Sequence, residues 1–246
     1  MIAIDQPRAD QPARARIVLL TGPSGAGKSR LADRLHTAYG WPVVRLDDFY
    51  RDGDTEGLPT ISFGGGAAVT DWDHPASWDG EGAVRALVDL VTLGRAATPR
   101  YDISTSRRVG TGEAVLGHHR IVVAEGIFAA EIGPRIADAR LLAATYCVTH
   151  GPWGNAAFRL TRDLAEHRKS PALLLRRGVS LFRREAAIVR RAEALGARCR
   201  SPRAVERELA SFAHASGMAD TFGETAFGVP DRGQAVQERD TGSARP

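Results

Sequence analysis

A glycine-rich turn near the N-terminus constrains the fold of this chain more than any other feature. The run RIVLLT, residues 16–21, is typical of a buried parallel strand, and the run KSRLADRLHTAYG that starts at Lys28 has helical periodicity. Between them the chain reads Gly22-Pro23-Ser24-Gly25-Ala26-Gly27-Lys28-Ser29, which matches the pattern G-x-x-x-x-G-K-[ST] at every fixed position. A strand, this turn and a helix in succession predict a loop that binds phosphate groups.

The residue types in this turn explain why it would bind phosphate. Glycines allow successive backbone N–H groups to point at an anion, and the start of the following helix adds partial positive charge. The Lys28 side chain can reach the β- and γ-phosphates of a nucleotide, and the Ser29 hydroxyl suits Mg²⁺. The pattern therefore predicts nucleotide binding and is silent about the reaction.

The rest of the chain alternates strand and helix patterns. Residues 41–46, 119–126 and 139–149 contain short apolar runs suited to strands, and residues 80–94 and 201–215 have amphipathic helical patterns. This alternation predicts an α/β fold with a parallel sheet covered on both faces, in three α/β/α layers. Most of residues 155–196 is also expected to be helical. We expect a flexible leader over residues 1–15, one domain over 16–227 and a disordered tail over 228–246.

Acidic residues follow two of the predicted strands. Asp47 and Asp48 come just after the second strand, and Glu125 ends the third, where a Walker-B carboxylate would lie. Ligands of open parallel sheets bind outside the carboxyl ends of the strands, so these acids are expected beside the phosphate loop. We expect Ser29, Asp47 and Glu125 to hold Mg²⁺. An extended chain after Leu46 would direct Asp47 and Asp48 to opposite sides.

Composition argues against two classes of partner. The net charge is +4, but only two of the 33 basic residues are lysines, so the arginine excess more plausibly reflects genome composition than nucleic-acid binding. No apolar stretch approaches the roughly 20 residues that a membrane helix needs, and the N-terminus lacks a signal-peptide pattern. The expected location is the cytoplasm, with no nucleic-acid or membrane partner, and homo-oligomerisation is left open.

Six segments, in order, carry a family resemblance. They are GPSGAGKS at 22–29, DDFY at 47–50, DWDHPASWD at 71–79, PRYDISTSR at 99–107, AEGIF at 124–128 and RLTRDLAEHRKS at 159–170. Together they resemble the uridine kinase family of P-loop small-molecule kinases, from about residue 16 to 169. The resemblance implies a nucleoside-kinase-like fold with a helical lid over about residues 153–170.

The resemblance also implies roles for single residues. Asp47 matches the acid taken as general base for the ribose 5′-hydroxyl, and Lys28 and Arg162 complete the implied catalytic set. Arg159, like Arg162, matches a lid arginine that closes over the triphosphate of ATP. The implied acceptor-binding positions are Tyr50, Asp73, Tyr101 and Ser106. The Asp73 carboxylate would accept hydrogen bonds from ribose hydroxyls, and Tyr101 would border the base.

Two positions differ from the family in the acceptor segment. Ser106 occupies the place of a histidine that reads the pyrimidine, and Ile103 replaces a neighbouring aromatic residue. A site that lacks a side chain to hydrogen-bond the base loses the discrimination between bases that this hydrogen bond would provide. Uridine and cytidine are therefore expected to be poor substrates.

The expected activity is ATP-dependent, Mg²⁺-dependent phosphorylation of a small acceptor, with a nucleoside 5′-hydroxyl as the first candidate. Acceptors like those of phosphoribulokinase or pantothenate kinase are the nearest alternatives. A non-catalytic nucleotide-binding regulator and a nucleic-acid-binding module are the alternatives from other classes. Trp72, Trp78 and His74 are expected to have structural roles in packing and turns.

Overall fold

A computed structural model describes residues 15–62, 68–149 and 185–215. Several predictions from the sequence concern residues outside these ranges. They include nearly all of the leader, the tail, the lid with Arg159 and Arg162, and the helical pattern before residue 185.

Nine strands and five helices lie in the described residues. The strands are β1 Arg16–Thr21, β2 Val43–Arg45, β3 Thr60–Ile61, β4 Val69–Thr70, β5 Arg95–Asp102, β6 Arg107–Val115, β7 Ile121–Glu125, β8 Leu142–Val148 and β9 Arg198–Arg200. The helices are α1 Lys28–Tyr39, α2 Gly80–Leu93, α3 Gly133–Asp138, α4 over 185–194 and α5 Pro202–Ala215. Short 3₁₀ helices span Leu46–Phe49, Pro75–Ser77 and Ala129–Ile132.

The central sheet has five parallel strands in the order β2-β7-β1-β8-β9. Alternate residues of β1 point to opposite faces, so Ile17 and Leu19 join one buried cluster and Val18 and Leu20 join another. Helices α2 and α3 cover the first face, and α1 and α5 cover the second. This arrangement confirms the predicted three-layer α/β fold.

Helix ends lie where the sequence signals place them. Helix α2 begins after Asp79, whose Oδ1 accepts a hydrogen bond of 2.9 Å from the Gly82 N–H, and it ends before Gly94, which has a φ of 77°. Helix α5 begins at Pro202, and the Ser201 hydroxyl accepts a 3.3 Å hydrogen bond from the Ala204 N–H. Within the described ranges no helix is long and apolar enough to cross a membrane.

An antiparallel hairpin, β5–β6, lies beside the sheet and was not predicted. Most residues of β6 are exposed, and the two strands carry few apolar side chains, so the alternation that reveals a half-buried strand is missing. A smaller antiparallel pair joins β3 and β4. These pairs supply the walls of the candidate site described below.

The chain after Leu46 is a 3₁₀ helix, so the expectation of an extended segment there was wrong. Leu46 and Phe49 are three residues apart, which brings their side chains to the same face of a 3₁₀ helix, and both are buried. Burial of this pair favours the turn over an extended strand. Asp47 and Asp48 then diverge because a 3₁₀ helix rotates successive side chains by about 120°.

Candidate active site

The phosphate loop requires glycine at three places. Gly22, Gly25 and Gly27 have φ values of 132°, 80° and 90°, which side-chain-bearing residues rarely adopt. At Gly22 a Cβ would lie 2.4 Å from the Val148 carbonyl oxygen, so a larger residue would also collide with the backbone of β8. The sequence pattern therefore corresponds to a loop held tightly between β1, β8 and α1.

Lys28 lies inside this loop, with 7% of its surface exposed. Its Nζ donates hydrogen bonds of 2.9 Å to the Gly22 carbonyl and 3.0 Å to the Pro23 carbonyl. Burial lowers the pKa of Lys28, while the charges of Asp47 and Glu125 act in the opposite direction. The loop thus carries a cation that its own carbonyls hold in place.

Glu125 is the last residue of β7 and is 4% exposed. It pairs with Leu20 of β1 and Arg45 of β2, so it lies at the carboxyl edge of the sheet. Burial raises its pKa, as does the charge of Asp47, while Lys28 and a hydrogen bond from the Ser29 hydroxyl lower it. In the part of the chain that the structure describes, Oε2 of Glu125 has no hydrogen-bond partner.

Asp47 lies on the 3₁₀ helix Leu46–Phe49 and approaches the same carboxyl edge of the sheet. Its Oδ1 accepts a 2.9 Å hydrogen bond from the Ile127 N–H, which orients the carboxylate. Gly126 permits this approach, because a Cβ there would lie 2.8 Å from both Asp47 Oδ1 and Leu46 Cβ. Sequence reasoning did not identify Gly126 as part of the site, since the close contact joins segments 79 residues apart.

The donor set at this edge fits Mg²⁺. Ser29, Asp47 and Glu125 offer hydroxyl and carboxylate oxygens, the ligand type that Mg²⁺ prefers, and nucleotide phosphates commonly complete its coordination. The unpartnered buried oxygen of Glu125 is costly unless a cation or a donor satisfies it. These residues could therefore hold the metal beside the phosphate loop.

Tyr50 connects this edge to the acceptor-binding positions. Its hydroxyl donates a 3.1 Å hydrogen bond to the Trp72 carbonyl, and its ring lies 5.7 Å from the ring of Tyr101, measured between centroids. Burial raises the pKa of Tyr50, and the charges of Asp47 and Asp73 raise it further. Tyr50 is thus near both carboxylates, and Asp73 itself is exposed.

Tyr101 and Ser106 lie on the hairpin. The Tyr101 hydroxyl donates to the Arg51 carbonyl at 3.2 Å, and burial raises the pKa of Tyr101 while a hydrogen bond with the Ser106 side chain partly offsets this. Ser106 has a φ of 51°, and its carbonyl accepts a 2.8 Å hydrogen bond from the Gly53 N–H. Ile103 is 82% exposed at the turn.

Two further residues attach the hairpin to the site, and sequence reasoning assigned neither to this role. Asp48 Oδ1 accepts a 3.4 Å hydrogen bond from the Tyr101 N–H. Arg108 donates to the Tyr50 carbonyl from Nε and to Asp79 Oδ2 from Nη2, each at 3.2 Å. No local sequence signal identifies such contacts, because they depend on how the hairpin packs against the 3₁₀ helix.

Trp78 and His74 have structural roles, as predicted. Trp78 is 4% exposed, and its Nε1 donates a 2.7 Å hydrogen bond to the Leu46 carbonyl. His74 Nδ1 accepts a 3.1 Å hydrogen bond from the Ala76 N–H at the start of a 3₁₀ helix.

A pocket of about 560 Å³ opens beside Trp72, whose ring meets that of Tyr50 edge to face. We name it the Trp72 pocket, and it is lined by Gly53, Asp54, Val69, Thr70, Trp72, Thr105, Ser106 and Arg107. Of these residues, only Ser106 was an acceptor-binding candidate from the sequence.

No protein-family model matches this chain, and no curated protein matches it in sequence. Solved structures do resemble it. One is provisionally named a fructose transport system kinase, from Silicibacter sp. TM1040; it is 21% identical with a TM-score of 0.51, and the match covers 80% of this chain and 91% of that one.

Two further solved structures, which resemble this chain with lower TM-scores, are also named as kinases. A provisionally named uridine kinase from Bacillus stearothermophilus is 19% identical, with a TM-score of 0.39 and coverage of 56% of this chain and 73% of that one. D-glycerate 3-kinase from Cryptococcus neoformans is 21% identical, with a TM-score of 0.35 and coverage of 54% and 52%. The parallel sheet and the likeness to the first structure show that the two proteins share an α/β fold.

Proposed function

We propose that this chain is a phosphotransferase that moves the γ-phosphoryl group of ATP to a hydroxyl of a small acceptor. A nucleoside 5′-hydroxyl, as in uridine kinases, is the first candidate from the sequence. One observation carries the proposal: Lys28, Glu125 and Asp47 lie close together at one edge of the sheet. The names of the similar structures agree with it.

Phosphoryl transfer depends on positioning and on charge neutralisation more than on covalent chemistry. Lys28 and the N–H groups of the phosphate loop would bind the β- and γ-phosphates. Ser29, Asp47 and Glu125 would hold Mg²⁺, which when bound neutralises charge on the transferring group. Arg159 and Arg162 belong to this proposal through the resemblance, as residues that close over the triphosphate.

Asp47 would accept the proton of the acceptor hydroxyl. The Ile127 N–H holds one of its carboxylate oxygens, so the orientation of the other is set before the acceptor binds. Tyr50, Asp73 and Tyr101 would line the acceptor, because Tyr50 is near both carboxylates and its ring lies 5.7 Å from that of Tyr101, at an angle of 41°. We place the enzyme in the cytoplasm on its sequence, with ATP and the acceptor as its partners.

A non-catalytic nucleotide-binding regulator is the alternative from another class. A regulator needs the phosphate loop but has no use for an oriented carboxylate beside an open polar pocket. The contact of Asp47 with Ile127 and the adjacent Trp72 pocket therefore favour a transferase.

A panel of acceptors tests the proposal. The full chain is incubated with ATP, Mg²⁺ and nucleosides, free sugars, sugar phosphates, glycerate or pantothenate, and ADP release and product mass are measured. We expect at least one acceptor to gain one phosphoryl group at a rate well above ATP hydrolysis. ATP binding without transfer to any member would favour the regulator.

A further inference from the structure

We propose that Arg45 is a further catalytic residue of the phosphoryl transfer. Its guanidinium leaves Asp33 and donates hydrogen bonds to the γ-phosphate of ATP from the β2 side of the site. The inference rests on the proposed function and deepens it, because it adds a cation that acts on the transferring group. Sequence reasoning assigned no role to Arg45, which lies outside the six segments that carry the family resemblance.

Arg45 ends β2 and points to the same side of the sheet as Glu125. The two residues are partners in the parallel pairing of β2 with β7. Val43 and Val123, two residues earlier in each strand, pack in the buried cluster on the side that α1 covers. Residues two apart in a strand share a face, so Arg45 and Glu125 lie on the α1 side at the carboxyl edge. Helix α1 also carries Ser29 on this side of the sheet.

A loose ion pair with α1 holds the Arg45 side chain. Its Nη2 lies 3.9 Å from Asp33 Oδ1, which is too long for a hydrogen bond, and the two side chains are 62% and 63% exposed. An exposed pair adds little to stability, so the guanidinium can leave Asp33 at small cost. Asp33 follows Ser29 by four residues, which places both on one side of α1. The guanidinium therefore rests beside the first turns of α1, close to a candidate metal ligand.

The charge of Arg45 reaches the carboxylates of the site. Burial raises the pKa of Asp48 and of Glu125, and the charge of Arg45 lowers both. Lys28 already donates hydrogen bonds to two carbonyls of the phosphate loop. Among the residues that the structure describes, no hydrogen bond engages the Arg45 side chain. Arg45 is therefore a cation at this edge that can still bind an anion.

An arginine in this place suits the chemistry of the transfer. The bond from the γ-phosphorus to the β–γ bridging oxygen breaks as a bond to the acceptor oxygen forms. Asp47 takes the acceptor proton, ADP leaves, and Arg45 keeps its own protons. Negative charge spreads over the three equatorial oxygens of the phosphoryl group during this step.

Two cations would approach this group from different strands. Strand β7, which ends at Glu125, lies between β1, which leads to the phosphate loop, and β2, which ends at Arg45. Lys28 would therefore contact the γ-phosphate from the β1 side and Arg45 from the β2 side. The planar guanidinium offers a fork of donors that matches phosphate oxygens.

Nucleotide titration and steady-state transfer by the full chain, both with Mg²⁺ present, test the proposal. Calorimetry measures the affinities for ADP and for adenosine 5′-(β,γ-imido)triphosphate, whose γ-phosphate is not transferred. We expect Arg45→Ala to weaken triphosphate binding about tenfold, the scale of a lost charge-assisted hydrogen bond, and to leave ADP binding unchanged. With the best acceptor, its kcat should fall about 10²-fold, the scale of removing one transition-state donor.

Three further variants distinguish a catalytic contact from a surface ion pair. Arg45→Lys should recover part of the loss, because lysine retains the charge but not the planar fork of donors. Asp33→Asn releases Arg45 without removing it, and should keep the kcat and triphosphate affinity of the unmodified chain. Arg95→Ala should also change neither, since Arg95 is exposed and pairs with Val115 at the end of the hairpin away from Tyr101.

The role of Arg45 is refuted if a folded Arg45→Ala variant keeps both the kcat and the triphosphate affinity of the unmodified chain. It is also refuted if Asp33→Asn loses as much of both as Arg45→Ala does. The kinase proposal fails differently. Weaker triphosphate binding by Arg45→Ala, without any transfer by the unmodified chain, would support the contact with the γ-phosphate and contradict the kinase. Transfer that is indifferent to Arg45 would support the kinase and contradict the contact.

Discussion

Substitution of Gly126 by alanine is a direct test of how Asp47 is positioned. A Cβ at residue 126 would lie 2.8 Å from Asp47 Oδ1 and 2.8 Å from Leu46 Cβ, whereas ordinary contacts begin near 3.4 Å. Asp47 and its turn must therefore retreat by about 0.6 Å, the difference between these two distances. The Asp47 side chain cannot rotate away without losing its hydrogen bond to the Ile127 N–H.

This displacement should reduce the rate far more than it reduces nucleotide binding. Misplacement of a catalytic group by about 1 Å can cost about 10²-fold in rate, so we expect kcat to fall by roughly 10- to 10²-fold. Overpacking of this kind costs about 1–3 kcal/mol of stability. The affinity for ATP should change little, because the substitution does not touch residues 22–29.

The assay is steady-state phosphoryl transfer with the best acceptor, together with ATP titration and thermal unfolding. Gly110→Ala is the matched control, because a Cβ at that position meets no atom within 4 Å. A folded Gly126→Ala variant with an unchanged kcat would refute the positioning of Asp47 that we describe.

Three further outcomes follow from the site. Asp47→Asn should lower kcat by at least about 10²-fold, the lower end of general-base contributions. Asp48→Asn should lower kcat much less, because the Asp48 carboxylate faces the hairpin. Equal losses of kcat in the two variants would overturn the assignment of Asp47 as the base. Trp78→Phe removes the donor to the Leu46 carbonyl and should lower the free energy of unfolding by about 1–3 kcal/mol, measured by urea denaturation; unchanged stability would contradict the role of that hydrogen bond. Excess EDTA should abolish transfer and added Mg²⁺ should restore it, and full activity in EDTA would refute the metal requirement.

The sequence predicted the parts of the fold that depend on local patterns. The apolar runs that became β1 and β7 and the phosphate loop were recognisable because strand character, glycine and helix periodicity follow one another directly. The starts of α2 and α5 were likewise visible, because amphipathic helical patterns begin at residues 80 and 201.

Features that depend on packing between distant segments could not be predicted in this way. The β5–β6 hairpin lacks an apolar alternation, and β9 has only three residues, Arg-Cys-Arg. The direction of Asp48 and the need for glycine at 126 follow from the 3₁₀ helix Leu46–Phe49, whose formation depends on burial of Leu46 and Phe49 in the core. Motif matching therefore identified Asp47 but not the contacts that orient it.

The measurement that tests the central claim most directly is transfer of labelled γ-phosphate from ATP to an acceptor by the unmodified chain and by Lys28 variants. Lys28→Ala removes the ammonium that lies inside the phosphate loop, and Lys28→Met removes it while retaining the buried stem. We predict labelled product from the unmodified chain and none from either variant, with circular dichroism showing that both remain folded. Unmodified transfer by a folded Lys28→Met variant, or no transfer from ATP to any acceptor by the unmodified chain, would contradict the account.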